Sequence, residues 1–183
     1  MIRAWFITGA PGVGKTTALL KLVDLLKRKG YTLGGIVSRE VRRGGVRIGF
    51  EMIDLMTEER GTLASKELTK GPRVGSYRVD LESLSKFSKA LLRAMRSCDV
   101  VVCDEIGPME LMSPDFKRAV RELMDSGKPV IGVIHRKVKD DLVVDIKGRG
   151  DVRVVELTYE NRNRIVEEQG EELLRWLGGD RGG

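Results

Sequence analysis

Residues 9–16 read Gly-Ala-Pro-Gly-Val-Gly-Lys-Thr and match the pattern G-x-x-x-x-G-K-[ST]. A glycine-rich loop of this kind bends so that successive backbone N–H groups point at the oxygens of a bound phosphate chain. In such a loop Lys15 can reach the β- and γ-phosphates, and the Thr16 hydroxyl can ligate Mg²⁺. The pattern therefore predicts a binding site for a nucleoside triphosphate and its Mg²⁺ ion.

The sequence on either side of the loop has the order that this motif requires. An apolar strand is predicted at 4–8, and apolar residues then recur at helical spacing from Leu19 to Leu26, with Gly30 as a stop. The first N–H groups of that helix lack internal partners, and its dipole favours negative charge. We expect the nucleotide to contact one continuous set of residues: Gly9, Ala10, Pro11, Gly12, Val13, Gly14, Lys15, Thr16 and Thr17.

Length and composition favour one folded domain with a charged surface. The 183 residues are 41% hydrophobic and 33% charged, with a net charge of +6 spread along the chain. Aromatic residues make up 5%, so a stacking platform for nucleic-acid bases is not expected. The two cysteines, Cys98 and Cys103, form neither a CxxC redox pair nor a zinc knuckle, and His135 is the only histidine. No signal peptide or membrane-spanning run is found, so we expect a cytoplasmic protein.

Apolar strands alternate with helices along most of the chain. Further strands are predicted at 33–38, 100–104, 130–134 and 152–157, and further helices at 81–95, 114–124 and 161–177. The fold class is therefore α/β, with a mostly parallel sheet covered by helices on both faces. Residues 39–65 break the alternation, and we interpret them as a β-hairpin insertion or antiparallel edge. We predict a single domain at 1–177 and a flexible tail at 178–183.

The strand at 100–104 ends in two acids, Asp104 and Glu105. An enzyme that hydrolyses triphosphates needs a carboxylate near Mg²⁺, and we expect Asp104 to serve there opposite Thr16. Glu105 follows at once and can orient and deprotonate the attacking water. The alternative interpretation is a pair of surface acids at a strand end. The phosphate-loop motif earlier in the chain favours the functional interpretation.

Phosphoryl transfer also calls for a further cation beside Lys15 to stabilise developing charge. Arg136 and His135 follow the strand at 130–134, so both would emerge at the carboxyl edge of the sheet, where ligands bind in open α/β folds. We select Arg136 as a catalytic candidate, although a solvated surface position is an equally good interpretation of both residues. The other candidates are Arg39, Arg42, Arg43 and Arg47.

The loop before the last helix offers groups for a nucleotide base. Asn161 can bond a base edge, and Arg162 can stack on its face. Helix capping by Asn161 and a surface position for Arg162 remain the alternative.

Five stretches together form a recognisable combination that spans nearly the whole chain. They are the loop at 9–17; Arg-Glu-Val-Arg at 39–42 with Gly45, Arg47, Gly49 and Phe50; Val-Gly-Ser-Tyr at 74–77; Cys-Asp-Glu-Ile-Gly-Pro-Met-Glu-Leu at 103–111; and Leu-Thr-Tyr-Glu-Asn-Arg at 157–162. This combination resembles the THEP1 family of archaeal and bacterial nucleoside-triphosphatases, which has a human cancer-related relative. Pro108 departs from the family, in which lysine is common at this position.

The resemblance implies a P-loop NTPase fold and Mg²⁺-dependent hydrolysis of ATP, GTP and other nucleoside triphosphates, with loose base choice. We therefore expect a nucleoside triphosphate as the substrate and Mg²⁺ as the cofactor, with no membrane, nucleic-acid or obligate protein partner. A nucleotide or small-metabolite kinase would share the same loop, and so would a nucleotide-dependent switch or a nucleic-acid-driven ATPase. No [NT]-K-x-D element for guanine is present.

Overall fold

The protein is described by a computed structural model that covers residues 1–178. Its strands are β1 (Ala4–Gly9), β2 (Leu33–Arg43), β3 (Val46–Asp54), β4 (Arg60–Ser65), β5 (Arg73–Val74), β6 (Tyr77–Val79), β7 (Val100–Ile106), β8 (Val130–Ile134) and β9 (Val152–Leu157). Its helices are α1 (Lys15–Arg28), α2 (Leu81–Ser97), α3 (Pro114–Asp125), α4 (Asp141–Gly148) and α5 (Arg162–Leu177). Of the tail predicted at 178–183, only Gly178 lies within the described residues.

All these strands belong to one mixed sheet in the order β5-β6-β4-β3-β2-β7-β8-β1-β9. The half from β2 to β9 is parallel throughout. The carboxyl ends of its strands therefore share one edge, and the phosphate loop leaves β1 at that edge. The parallel α/β architecture predicted from the alternation of strands and helices is confirmed.

The other half of the sheet is an antiparallel wing made of β3, β4, β5 and β6, which continues from β2. The predicted break in alternation at 39–65 is therefore a real change of topology. The strand β2 is longer than expected, because the chain does not turn at Ser38 but runs on to Arg43. Its first five residues are buried in the sheet, whereas most of its second half is exposed.

Helices cover both faces of the sheet, as predicted. The face with α1 and α5 buries a core that includes Leu19, Leu26 and Val102. The opposite face, with α2, α3 and α4, buries a second core around Phe6, Leu91 and Leu123. The apolar strands of the parallel half are thus covered from both sides, which explains why their sequences run as near-continuous apolar segments.

A β-bulge interrupts the pairing of β7 with β8. Cys103 pairs with Gly132 and Ile106 pairs with Ile134, so two residues of β7, Asp104 and Glu105, lie opposite a single residue of β8. The strand was predicted to end at Asp104 and instead continues to Ile106, which is fully buried. The bulge therefore sets both acids inside the strand rather than beyond its end.

Two short strands and one short α-helix were not predicted. The strands β5 and β6 are two and three residues long, which is too short for a periodic signal. The helix α4 has eight residues and no long apolar stripe. It begins at a cap in which the Asp140 side chain accepts the backbone N–H of Leu142, and Lys117 of α3 donates to Asp140 at 2.9 Å.

None of the helices in the described part of the chain is both long and apolar enough to cross a membrane.

Substitution of Gly132 tests whether β7 and β8 must pack closely beside the bulge. A Cβ atom at this position would lie 2.1 Å from the carbonyl oxygen of Cys103, which is backbone and cannot move aside. We expect Gly132→Ala to lower the free energy of unfolding by roughly 1–3 kcal/mol or more, since overpacking a core carries that cost.

The matched control for Gly132 is Gly148→Ala, because a Cβ at Gly148 would meet open space. That variant should stay within about 1 kcal/mol of the parent protein. Denaturant unfolding of the two variants measures the difference, and equal stabilities would contradict this account of the β7–β8 contact.

Candidate active site

The phosphate loop has a backbone that glycine adopts easily. Gly12 and Gly14 have φ angles of +76° and +103°, in the left-handed region that other residues rarely enter. Gly9 at the end of β1 is packed so closely that an added Cβ would lie 2.6 Å from the carbonyl oxygen of Leu157. Steric constraints therefore explain why glycine occupies these positions of the motif. The loop leads directly into α1.

Lys15 lies folded over this loop. Its ammonium donates to the carbonyl oxygens of Gly9 at 2.8 Å and Ala10 at 3.3 Å. Helix α1 begins without a side-chain cap and without an acidic residue in its first turn. Its first N–H groups and its positive dipole end are therefore available to an anion.

Asp104 joins the loop to two strands. Its Oδ2 accepts a hydrogen bond from the Thr16 hydroxyl at 3.1 Å and from the backbone N–H of Ser38 at 3.4 Å. The side chain is buried, and its Oδ1 has no hydrogen-bond partner among the described residues. A hydroxyl and a carboxylate with an unpaired oxygen are hard oxygen ligands, which suit Mg²⁺. The residues predicted for the metal, Thr16 and Asp104, are thus adjacent and chemically suited to it.

Groups of three or more His, Cys, Asp or Glu side chains that could hold a metal are not found in residues 1–178.

Glu105 follows Asp104 within the bulge. Its carboxylate lies against the backbone of Gly107, where an added Cβ would come within 3.0 Å of Oε1. The side chain is half-buried, so it remains open to solvent and to a substrate. The bulge therefore places two acids in succession at the carboxyl edge, next to the phosphate loop.

A third carboxyl group, Glu110, belongs to this cluster, although its sequence context predicted no role for it. It opens a short 3₁₀ helix at Glu110–Met112, is buried, and has an Oε2 atom without a hydrogen-bond partner among the described residues. The only sequence signal for it is its place in the stretch at 103–111, since an isolated Glu after a loop normally lies on the surface.

Burial and mutual repulsion shift the proton affinity of these acids. Burial, with the negative charge of Glu105, raises the pKa of Asp104 to about 7, against the opposing effects of Ser38, Thr16 and Lys15. Burial first, and then Glu105, raises the pKa of Glu110 well above its ordinary value. A nearby divalent cation would favour the charged form of Asp104.

His135 and Arg136 emerge at the carboxyl edge after β8, as expected from the order of the strands. His135 Nδ1 accepts backbone N–H groups, and Lys147 of α4 donates to the carbonyl oxygens of His135 at 2.9 Å and Arg136 at 3.2 Å. The Arg136 guanidinium lies 3.7 Å from the Glu156 carboxylate on β9. Lys147 thus holds this loop, a role that the sequence did not indicate.

The other candidate arginines lie on the second half of β2 and on β3, and they are paired with nearby carboxylates. Arg39 pairs with Glu51, and Arg43 with Glu67. Arg42 and Arg47 both pair with Glu40, and Arg47 also donates to the Tyr77 hydroxyl at 2.8 Å. In this structure these arginines are therefore bound to neighbouring side chains of the protein.

Both residues predicted to contact a base form interactions within the loop before α5. Asn161 Oδ1 accepts the N–H of Thr158 at 2.8 Å, and its Nδ2 donates to the carbonyl oxygen of Glu156 at 2.9 Å. These bonds fasten the loop, and the side chain makes no capping bond to α5. Arg162 stacks over the ring of Tyr159, 5.2 Å from its centroid. Their contact with a base stays a prediction.

A groove of about 830 Å³ runs between α1 and α5. It begins beside the phosphate loop at Thr17 and Asn163, and its apolar lining includes Leu20, Val166 and Leu174. The predicted base-contacting loop therefore lies near one end of an open groove rather than in an enclosed pocket.

The glycine loop between β1 and α1, with Thr16 against Asp104, defines the chain as a P-loop NTPase. A family model described as NTPase matches residues 4–169. The nucleoside-triphosphatase THEP1 of Methanopyrus kandleri is 44% identical over 172 residues, which cover 93% of this chain and 95% of that protein. The chain belongs to the THEP1 family of nucleoside-triphosphatases.

Solved structures agree with this assignment. The crystal structure of THEP1 from the hyperthermophile Aquifex aeolicus matches with a TM-score of 0.82 and 35% identity, covering 96% of this chain and 99% of that one. The solution structure of a human cancer-related nucleoside triphosphatase matches with a TM-score of 0.79 and 38% identity, covering 94% and 98%. The resemblance drawn from the five sequence stretches is thereby confirmed.

The raised pKa of Asp104 predicts a pH-dependent stability. Because its pKa of about 7 in the folded protein exceeds the ordinary 3.8, the folded state keeps a proton between these values that the unfolded state has lost. This contribution to the free energy of unfolding is complete below about pH 4 and is lost as the pH rises through about 7.

We expect Asp104→Asn to gain stability relative to the parent between pH 4 and pH 8. The gain should be on the order of 4 kcal/mol, since one pKa unit corresponds to about 1.4 kcal/mol. Urea unfolding in EDTA without nucleotide measures it, with the exposed Asp24→Asn as the control. A difference between Asp104→Asn and the parent that does not change with pH would contradict the prediction.

Glu105→Gln tests the second acid. The change keeps the shape of the side chain but removes the carboxylate that would orient water, so nucleotide binding should persist while kcat falls by about a hundredfold or more. Phosphate release and nucleotide affinity are measured separately, with the exposed Glu122→Gln as the control. A parallel loss of binding and turnover would instead make Glu105 a structural residue or a metal ligand.

Proposed function

We propose that the protein hydrolyses nucleoside triphosphates to nucleoside diphosphate and phosphate in a Mg²⁺-dependent reaction with little base discrimination. The single observation that carries the proposal is the contact of Thr16 with Asp104, which brings the phosphate loop against a pair of acids. Family membership supports the reaction class.

The phosphate loop would bind the substrate. Backbone N–H groups of residues 12–16 and the ammonium of Lys15 would hold the β- and γ-phosphates, and the positive end of α1 would favour their charge. Lys15 would exchange its bonds to the carbonyl oxygens of Gly9 and Ala10 for bonds to phosphate. Thr16 and Asp104 would hold Mg²⁺. When it is bound, this ion neutralises part of the negative charge on the β- and γ-phosphates.

Glu105 would position the attacking water. The water oxygen forms a bond to the γ-phosphorus as the bond from phosphorus to the β,γ-bridging oxygen breaks, and a proton of the water passes to the Glu105 carboxylate. The diphosphate leaves with the electron pair of the broken bond. Arg136 would add a further positive charge from the same edge, where its guanidinium lies 3.7 Å from the Glu156 carboxylate in this structure.

Base discrimination should be weak, because phosphates and Mg²⁺ are common to all substrates and the side chain of Asn161 already bonds to its own loop. We expect ATP, GTP, CTP and UTP to have kcat/KM values within about a hundredfold of one another, the range that one or two weak base contacts can discriminate. Turnover should be slow, since each arginine that could serve as the further cation is ion-paired in this structure.

Phosphate release over a panel of nucleoside and deoxynucleoside triphosphates, with and without Mg²⁺, tests this proposal. No acceptor is present, so release distinguishes a hydrolase from a kinase, and added DNA or RNA tests for a nucleic-acid-driven ATPase. Lys15→Ala should lower the rate by about two orders of magnitude or more, whereas the exposed Lys21→Ala should not. A preference for one base of about ten-thousandfold would require a buried hydrogen-bonding base pocket and would overturn the broad-specificity proposal.

A further inference from the structure

His135 lies at a central position of the carboxyl edge. It directly follows β8, which pairs with β1 on one side and with β7 on the other. Its backbone N–H donates to the carbonyl oxygen of Ile106 at 3.0 Å, just beyond the bulge. The residue is therefore placed between the strand that leads into the phosphate loop and the strand that carries Glu105.

The hydrogen bonds of its ring settle which nitrogen carries the proton. Nδ1 accepts the backbone N–H of Lys137 at 3.2 Å and of Val138 at 3.0 Å. A nitrogen that accepts hydrogen bonds has no proton, so the single proton of the neutral ring is on Nε2. The Lys147 ammonium donates to the carbonyl oxygen of His135 at 2.9 Å, so side chain and backbone are both held.

The opposite edge of the ring is directed away from these amides. No hydrogen bond joins Nε2 to any residue in the described range. Burial lowers the pKa of His135, the nearby cations Lys15, Lys147 and Arg136 act in the same direction, and Glu105 opposes them. The ring is therefore neutral at pH 7 and presents Nε2–H as a donor in the neighbourhood of Lys15 and Glu105.

We propose that His135 is a further catalytic residue of this site, whose Nε2–H donates a hydrogen bond to an oxygen of the γ-phosphate during hydrolysis. This inference rests on the proposed function and assigns a residue that stabilises the transition state of hydrolysis. Charge spreads over the γ-phosphate oxygens as the phosphoryl group is transferred, and a donor that is already fixed in place stabilises it without reorganisation. The ring contributes a neutral donor beside the cationic Lys15.

Two substitutions separate this role from that of holding the loop. In His135→Asn the Oδ1 atom can accept the N–H groups two and three residues ahead, as Asn does in tight turns, but nothing reaches the position of Nε2. In His135→Leu both functions are lost. The exposed Lys139→Ala, in the same loop, is the control.

We expect His135→Asn to lower kcat by about a hundredfold, the effect of removing one donor to a transition-state oxyanion. The affinity for ADP should stay within about threefold of the parent, whereas the affinity for ADP with aluminium fluoride, a mimic of the transferring phosphoryl group, should fall by about the same factor as kcat. His135→Leu should lose at least as much activity, and Lys139→Ala should behave like the parent.

A His135→Asn variant with parental kcat overturns the proposal, and if His135→Leu alone is impaired, His135 serves only to hold its loop. A parallel loss of ADP affinity also overturns it, because the residue then acts in binding rather than in the transition state. Failure of the parent protein to release phosphate would instead refute the proposed hydrolase function itself.

Discussion

The structure of the site depends on the buried carboxylate of Asp104. It accepts from Thr16 at the start of α1 and from the backbone of Ser38 in β2, while its own backbone belongs to β7. Burying a carboxylate is costly unless it has partners, so these three segments can adopt few other relative positions. One side chain thus fixes the phosphate loop against the centre of the sheet and keeps one buried oxygen without a hydrogen-bond partner among the described residues.

Several parts of this arrangement could be predicted from sequence because they are local. The glycines of residues 9–14 and the Lys-Thr pair form a continuous motif, and the apolar strands and helices follow from periodicity. The pair Asp104 and Glu105 was found in the same way. The bulge that holds them could not be predicted, because it depends on how Cys103 and Ile106 pair with a strand that comes later in the chain.

Other parts depend on tertiary contacts that leave no local pattern. Ser38 contributes a backbone group, which has no sequence signature, and Glu110 is indistinguishable from a surface acid until its burial is known. Lys147 acts on His135 and Arg136 from a helix too short to give a clear period. For Arg39 and Arg43 the sequence showed the cations but not their carboxylate partners, so an arginine that contacts phosphate could not be told from one in a structural ion pair.

The two edge strands of the sheet influence whether copies of the protein associate at high concentration. An open sheet presents unpaired N–H and C=O groups at each edge, and a second copy can add a strand there. At one edge β5 has only two residues, which is too short to template an extended pairing. At the other, β9 carries Arg153, whose guanidinium lies over the Trp5 ring and pairs with Glu172 of α5. A short strand at one boundary and charged side chains at the other disfavour edge-to-edge pairing between copies of the protein.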